Sequence, residues 1–362
     1  MFILNLFKGV KKSRYINGIG AVTAQGIWRT DFFTESQPLQ QAVNAAQQPS
    51  YRELISPAMA RRMSRGIKMG IYAAQQALDE AQIDIPDAII TGTGLGCSED
   101  SEKFLRNILD NDEEFLTPTA FIQSTHNTVA AQIALRLGCK GYNFTYVNRS
   151  VSFESALLDA SMQLQDAEAT DILVGGVDEV SDHTFRLLQL VGHIKPSDVH
   201  ETIHDSNSPG ANYAESATFF TLSQQKTAYS YCEVQDINLQ NKLSQGDLAA
   251  FTKEFLERNG LHAGDIDALV LGYNGDKEFD GWYDIFECIF PSIPSIYYKH
   301  LIGQCDTSSA FAVATAAKLI REQIIPAIIQ RNQVTLDRPL RNVLLYNQFR
   351  GEDHSLVLLR SC

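Results

Sequence analysis

The chain has 362 residues, 44% of them hydrophobic, and a formal net charge of −13. That length allows a large core or two fused cores. The charge argues against nucleic acid or an anionic membrane as a partner, and the sequence holds no run of about 18 apolar residues that would span a bilayer.

In chain order, the opening stretch MFILNLFKGVKKSR sets its lysines behind its apolar residues, the reverse of a secretory leader, so a cytoplasmic protein is expected. Tyr15 to Gly26, YINGIGAVTAQG, reads as a strand and a glycine-punctuated turn. No helix follows to make its GxG a dinucleotide fingerprint. Gln37 to Pro57 reads as a polar excursion, and Ala58 to Ala81 as one long amphipathic helix. That helix opens on the densest basic cluster, Arg61, Arg62, Arg65 and Lys68, read as a solvated helix start. A strand at Asp87 to Thr93 follows, then a helix at Ser98 to Asp110, a loop at Phe115 to Asn127 and a helix at Thr128 to Leu137.

Asn143 to Gln163, NFTYVNRSVSFESALLDASMQ, is the most informative stretch. Phe144, Tyr146 and Val147 read as a short buried strand. Phe153, Ala156, Leu157, Ala160 and Leu164 have helical spacing. Ser152 with Ser155, or Ser150 with Glu154, would cap that helix. A tight strand-to-helix turn sets a side chain at the positive end of a helix dipole, a favourable place for a nucleophile or an oxyanion. Asp171 to Gly176, DILVGG, then reads as a buried strand.

Six cysteines are spread through the chain without metal-ligand spacing, as in a reduced protein. Neither a metal nor another cofactor is expected. The sequons at Asn143 and Asn148 are read as chance. A repeat is visible: Ala74 to Gly94 and Phe251 to Gly272 both read as helix, turn, Asp-Ala and an apolar strand ending in Gly. The helix of the Asn143 stretch and DILVGG are answered by Thr307 to Ile320 and by NVLLYN at Asn342 to Asn347. The chain thus divides into halves of 1–225 and 226–362.

This two-half pattern, with YINGIGAVTAQG, DILVGGVDE and YYKHLIGQ in that order, resembles the β-ketoacyl-acyl-carrier-protein synthases (ketosynthases) over nearly the whole chain. The resemblance implies an α/β thiolase-like fold: two βαβαβαββ halves in an α-β-α-β-α sandwich, normally dimeric. It also implies a nucleophilic Cys before the central helix and two His in the second half, in motifs like AHGT and KxxxGH. Here Ser150 falls at the Cys position. Asn274, in GYNGD, falls at the first His, and Gln304, in KHLIGQ, at the second. Lys299 is kept, a family Glu falls at Val313, and a GFGGTN-like loop becomes Gln348-Phe349-Arg350-Gly351-Glu352-Asp353, with Phe349 kept and two glycines replaced.

These replacements remove acid–base chemistry. Asn and Gln neither take a proton nor become cationic, and a serine hydroxyl needs a base to become a nucleophile. General acid–base catalysis contributes roughly 10²–10⁴-fold. Cys97, Cys305, His126 and His300 are read as structural residues rather than replacements. The resemblance is to a chain-length-factor-like subunit that pairs as a heterodimer with an active ketosynthase in polyketide, polyene or fatty-acid biosynthesis. Acyl carrier protein would be met through that partner. In the family the loop Thr117 to Ile122 reaches the partner's acyl pocket, so Phe121 and Ile122 would set pocket depth, with Phe349 as a gate. The alternatives are an active acyl-transferring enzyme using Ser150, and a homodimer that binds a ligand in the old pocket.

Overall fold

A computed structural model describes residues 12–114, 116, 118–335 and 337–362; the opening stretch read as a non-leader falls largely outside them. Ten strands form one continuous sheet path: β1 (Tyr15–Thr23), β2 (Ala88–Gly92), β3 (Tyr142–Tyr146), β4 (Asp171–Asp178), β5 (Ser216–Ser223), β6 (Cys232–Asn241), β7 (Ala268–Leu271), β8 (Ser295–Tyr297), β9 (Asn342–Phe349) and β10 (Asp353–Arg360). The spatial order is β8-β7-β9-β10-β6-β1-β5-β4-β2-β3.

Each half repeats one topology. β2 pairs parallel with β3 and β4, β4 antiparallel with β5, and β5 antiparallel with β1. Likewise β7 pairs parallel with β8 and β9, β9 antiparallel with β10, and β10 antiparallel with β6. The internal order 3-2-4-5-1 is therefore common to both halves. They join edge to edge where Tyr15 and Ile16 of β1 meet Glu233 and Cys232 of β6.

The principal helices are α1 (Arg65–Ala81), α2 (Ser98–Asp110), α3 (Thr128–Leu137), α4 (Ser152–Asp166), α5 (Asp182–Leu190), α6 (Leu248–Arg258), α7 (Gly281–Cys288) and α8 (Ser309–Glu322). Three apolar clusters sort them into layers. The largest takes in Phe153, Leu157 and Leu164 of α4 with Phe311 and Leu319 of α8, against the inner faces of both half-sheets. A second packs α1 and α3 on the outside of the first half, and a third packs α6 and α7 on the outside of the second. The result is the α-β-α-β-α sandwich of the thiolase-like fold. No helix of the described residues is long and apolar enough to cross a membrane.

Four local expectations are corrected. The helix over Ala58 to Ala81 is two: a turn at Pro57–Ala60, then α1, which starts afresh because the Ser64 hydroxyl accepts the Ile67 N–H. The loop at Phe115 to Asn127 contains a helix, Pro118–Gln123; Phe115 and Thr117 lie outside the described residues. The strand before the central helix is not buried. β3 is an edge strand paired only with β2, and Tyr142, Phe144 and Val147 are 41%, 45% and 50% exposed. Neither expected cap of α4 forms: Ser152 accepts from the Asn148 N–H, Ser155 donates to the Val151 carbonyl, and Glu154 turns inward.

Candidate functional site

The chain leaves β3 through a short 3-10 turn, Arg149–Val151, with Arg149 at φ +48°. Gly92 lets this turn sit close, since a Cβ there would meet the Ser152 backbone at 2.5 Å. Ser150 is buried at the foot of α4, and its Oγ donates to Asp353 Oδ2 at 3.4 Å.

Across the site, Asp280 accepts the backbone N–H groups of Asn274 (3.1 Å) and Gly275 (2.8 Å), fixing the loop after β7. Asn274 Oδ1 accepts the Asp276 N–H, and its Nδ2 donates to Gln304 Oε1 at 3.3 Å. Lys299 begins a single helical turn that closes at Gly303, φ +73°. Its ammonium donates to Gln304 Oε1 at 2.8 Å and to Asn347 Oδ1 at 2.9 Å. Gln304 Nε2 donates to the Cys305 carbonyl at 2.8 Å.

The matched positions Asn274, Lys299 and Gln304 thus share one hydrogen-bond network with Asn347. It is closed on itself. Asn274 Nδ2 and the Lys299 ammonium each spend one N–H on the Gln304 side-chain carbonyl oxygen. No member besides Lys299 titrates.

Burial pushes the Lys299 ammonium down to about 8, opposed by the charges of Asp280 and Glu154. Burial raises Asp280 and Asp306 to about 7, with Asp178 adding to the rise at Asp306. Glu154, one turn into α4, is raised by burial and accepts from Ser355 Oγ at 2.7 Å. Val313, where the resemblance sets a Glu, packs in the core; Glu154 brings a buried carboxylate from the first half.

The Lys299 shift gives a signed prediction. Its ordinary value is 10.5, so above about pH 8 the unfolded chain holds the extra proton and stability rises with pH. Cys97 and Cys305, pushed up to about 12 by burial, act oppositely above pH 9. Between pH 8 and 9 the native chain is expected to gain about 1 kcal/mol relative to Lys299→Met. Urea melts at the two pH values measure it, and an unchanged difference contradicts it.

The remaining candidates separate cleanly. His300 is buried, donates Nε2–H to the Ile328 carbonyl at 2.8 Å and is driven to about 4 by burial. The Cys305 thiol lies 3.2 Å from Ser216 Oγ. His126 packs against Gly96. All six cysteines are free. Phe349 meets His193 edge to face at 5.8 Å. Phe121 and Ile122 are 56% and 57% exposed rather than in a core. The sequence offers Glu154 only as a helix cap and Asp353 only as part of the C-terminal loop, and it does not single out Asn347 or Asp280. The partners of Glu154, Asn347 and Asp353 lie far along the chain, whereas those of Asp280 are five and six residues away.

Residues 16–228 match the family described as Beta-ketoacyl synthase, N-terminal domain, and the chain belongs to it. A curated relative is the 3-oxoacyl-[acyl-carrier-protein] synthase 2 of Staphylococcus aureus (strain N315), 26% identical over 130 residues. That match takes in 34% of this chain and 31% of the relative, so the chain spans about a third of the length of the curated relatives it matches. Among solved structures, the ishigamide ketosynthase/chain length factor superposes with TM-score 0.79 at 18% identity, over 98% of this chain and 100% of that one. A ketosynthase in complex with its chain length factor from Xenorhabdus doucetiae gives 0.74 at 15%, over 100% of both. A β-ketoacyl synthase from Burkholderia phymatum STM815 gives 0.79 at 15%, over 97% and 100%. At these identities the likeness is one of fold.

Proposed function

We propose that this chain is a catalytically degenerate ketosynthase-like subunit that pairs with an active ketosynthase and shapes the acyl pocket, as a chain-length factor would. The observation that carries this reading is the Asn274–Gln304–Lys299–Asn347 network, in which side-chain amides stand at both matched histidine positions and Lys299 is the one group that titrates. The neighbours whose descriptions pair a ketosynthase with a chain length factor support the kind of partner. The edge strand β3 supports the mode of pairing, since among the described residues its Tyr142 and Phe144 remain 41% and 45% exposed. Phe121 and Ile122 are placed on the surface, where a partner's pocket would receive them.

The net charge of −13 disfavours docking of an acidic carrier protein over most of this surface. The charge distribution gives this chain a share. Arg61 and Arg62 before α1, Lys68 in its first turn, and Lys103 and Arg106 of α2 line two neighbouring clefts, together with Glu99, Asp100, Glu102 and Asp182. Among the described residues none of the five is within ion-pair distance of a carboxylate. A local cationic face on an acidic chain suits an acidic carrier docking across both subunits.

A second reading, acyl transfer by Ser150, has one observation in its favour: the Asp353 carboxylate beside its hydroxyl. Intact-mass spectrometry separates the two. The chain and an intact ketosynthase are incubated with acyl-carrier protein, together and apart. Acyl mass is expected on the ketosynthase alone, with the two chains co-eluting. Acyl mass on this chain, abolished by Ser150→Ala, would overturn the subunit reading.

A further inference from the structure

The tip of the β9–β10 hairpin, Phe349 to Asp353, borders the site, because Asn347 below it holds Lys299 and Asp353 holds Ser150. Every residue of the tip is tied to a different part of the chain. Phe349 rests on His193. Gly351 lies so close to Trp282 that a Cβ would come within 2.9 Å of the indole nitrogen. Glu352 accepts the Lys242 N–H at 2.7 Å and pairs with Arg149 at 3.5 Å. Asp353 is also held by Asn241 Nδ2 at 2.7 Å.

Arg350 makes the most contacts. Its Nη1 donates to Asp276 Oδ2 at 3.1 Å and to the Gly192 carbonyl at 3.3 Å, and its guanidinium stacks 4.5 Å over the Phe279 ring. It does so from φ +51°, left-handed backbone where a side chain is disfavoured and where the family resemblance sets glycine. A strained arginine persists when its surroundings over-determine it, and here two segments do, the loop of Asp276 and Phe279 and the turn at Gly192. From the other side, buried Lys195 donates to the Gly275 carbonyl (2.9 Å) and to Ser206 and Ser208 (both 2.8 Å). The loop bearing Asn274 is thereby clamped from two directions.

We infer that the Phe349–Asp353 tip is a latched cover, with Arg350 as the latch, that shuts the degenerate site against a pantetheine-borne acyl chain. The cover keeps a carrier's thioester from lodging unproductively in this subunit, so the chain is delivered only to the active partner. That consequence rests on the subunit reading above; the closure itself does not.

The test uses the full chain carrying Ser150→Cys, with and without Arg350→Gly. Each protein is treated with pantetheine bearing a chloroacetyl group. Peptide mass mapping separates the introduced thiol from the native ones, of which Cys288 and Cys362 are exposed. Labelling at position 150 is expected to be at least roughly tenfold slower with Arg350 present, the scale on which one charge-assisted hydrogen bond biases an opening equilibrium. Asp276→Asn, which removes the latch's anchor and leaves the hairpin untouched, is expected to speed labelling in the same direction. It serves in place of Arg350→Gly should that variant not fold. Equal rates with and without the latch, whether fast or slow, overturn the inference and leave the subunit reading standing. Acyl transfer to the unsubstituted chain overturns the subunit reading whichever way the labelling falls.

Discussion

Gly20→Val is expected to yield no folded protein. The strand β1 runs beneath α1 with the helix backbone resting on it: a Cβ at Gly20 would stand 2.0 Å from the Ala73 carbonyl oxygen and 2.8 Å from Gln76 Cβ. Gly18 meets the Ala77 carbonyl oxygen at 2.0 Å in the same way. The obstacle is main chain, so no rotamer change relieves it. The helix would have to lift off a sheet to which Ile67, Met69, Ala73 and Ala77 all contribute buried surface. Overpacking costs about 1–3 kcal/mol where side chains adapt. A backbone clash belongs among the exceptional substitutions above roughly 4 kcal/mol, within reach of the whole stability of a domain. Gly264→Ala is the control. Nothing lies within 4 Å of a Cβ there, and its melting temperature is expected to stay within a degree or two of the native value. Soluble yield and thermal melts decide it. A folded Gly20→Val protein would show that α1 does not press on β1 as described.

That contact also shows what the sequence disclosed and what it withheld. YINGIG was legible as a strand, but the purpose of its glycines depends on a helix some 50 residues away. Helices α2 and α3 were legible to the residue, because their apolar spacing and the Gly138 stop are local signals. The interruption before α1 was not, since basic and apolar residues continue across Ser64 and only its capping bond reveals the break. The aromatic run of β3 was misplaced for a deeper reason. Periodicity reports that a face is meant to be covered, not whether this chain or another covers it.

The site divides similarly. Positions 150, 274, 299 and 304 were found through ordered motifs, and three of them meet in one network. Ser150 reaches the hairpin instead, through Asp353, 203 residues away. The pairs Ser150–Asp353 and Glu154–Ser355 join the two halves. No local pattern marks either, because each partner is an ordinary polar residue until the fold brings them together.

Under the proposed subunit role, Phe144→Glu is expected to abolish co-purification with an active ketosynthase while leaving this chain folded. Phe144 stands midway along the outer edge strand, between Tyr142 (rings stacked at 6.1 Å) and Tyr146 (4.8 Å). Leu135 of α3 and Val147 are also exposed, at 75% and 50%. Within the chain Phe144 is already 45% exposed, so a carboxylate there remains solvated in the monomer and its melting temperature should move little. In the assembly the same carboxylate would be enclosed without a partner cation. An unpaired buried charge costs about 3–5 kcal/mol, which weakens association roughly 10²–10⁴-fold. Obligate interfaces of this class bury on the order of 2,000 Å² or more, and a defect at the strand that would extend the sheet across the contact also disturbs its backbone pairing. The measurement is size-exclusion chromatography of the co-expressed pair, with the variant's circular dichroism as the folding control. Loss of the complex with an unchanged spectrum is the expected result. A complex that survives with native affinity would move the interface off β3, and with it the argument that Phe121 and Ile122 reach a partner's pocket.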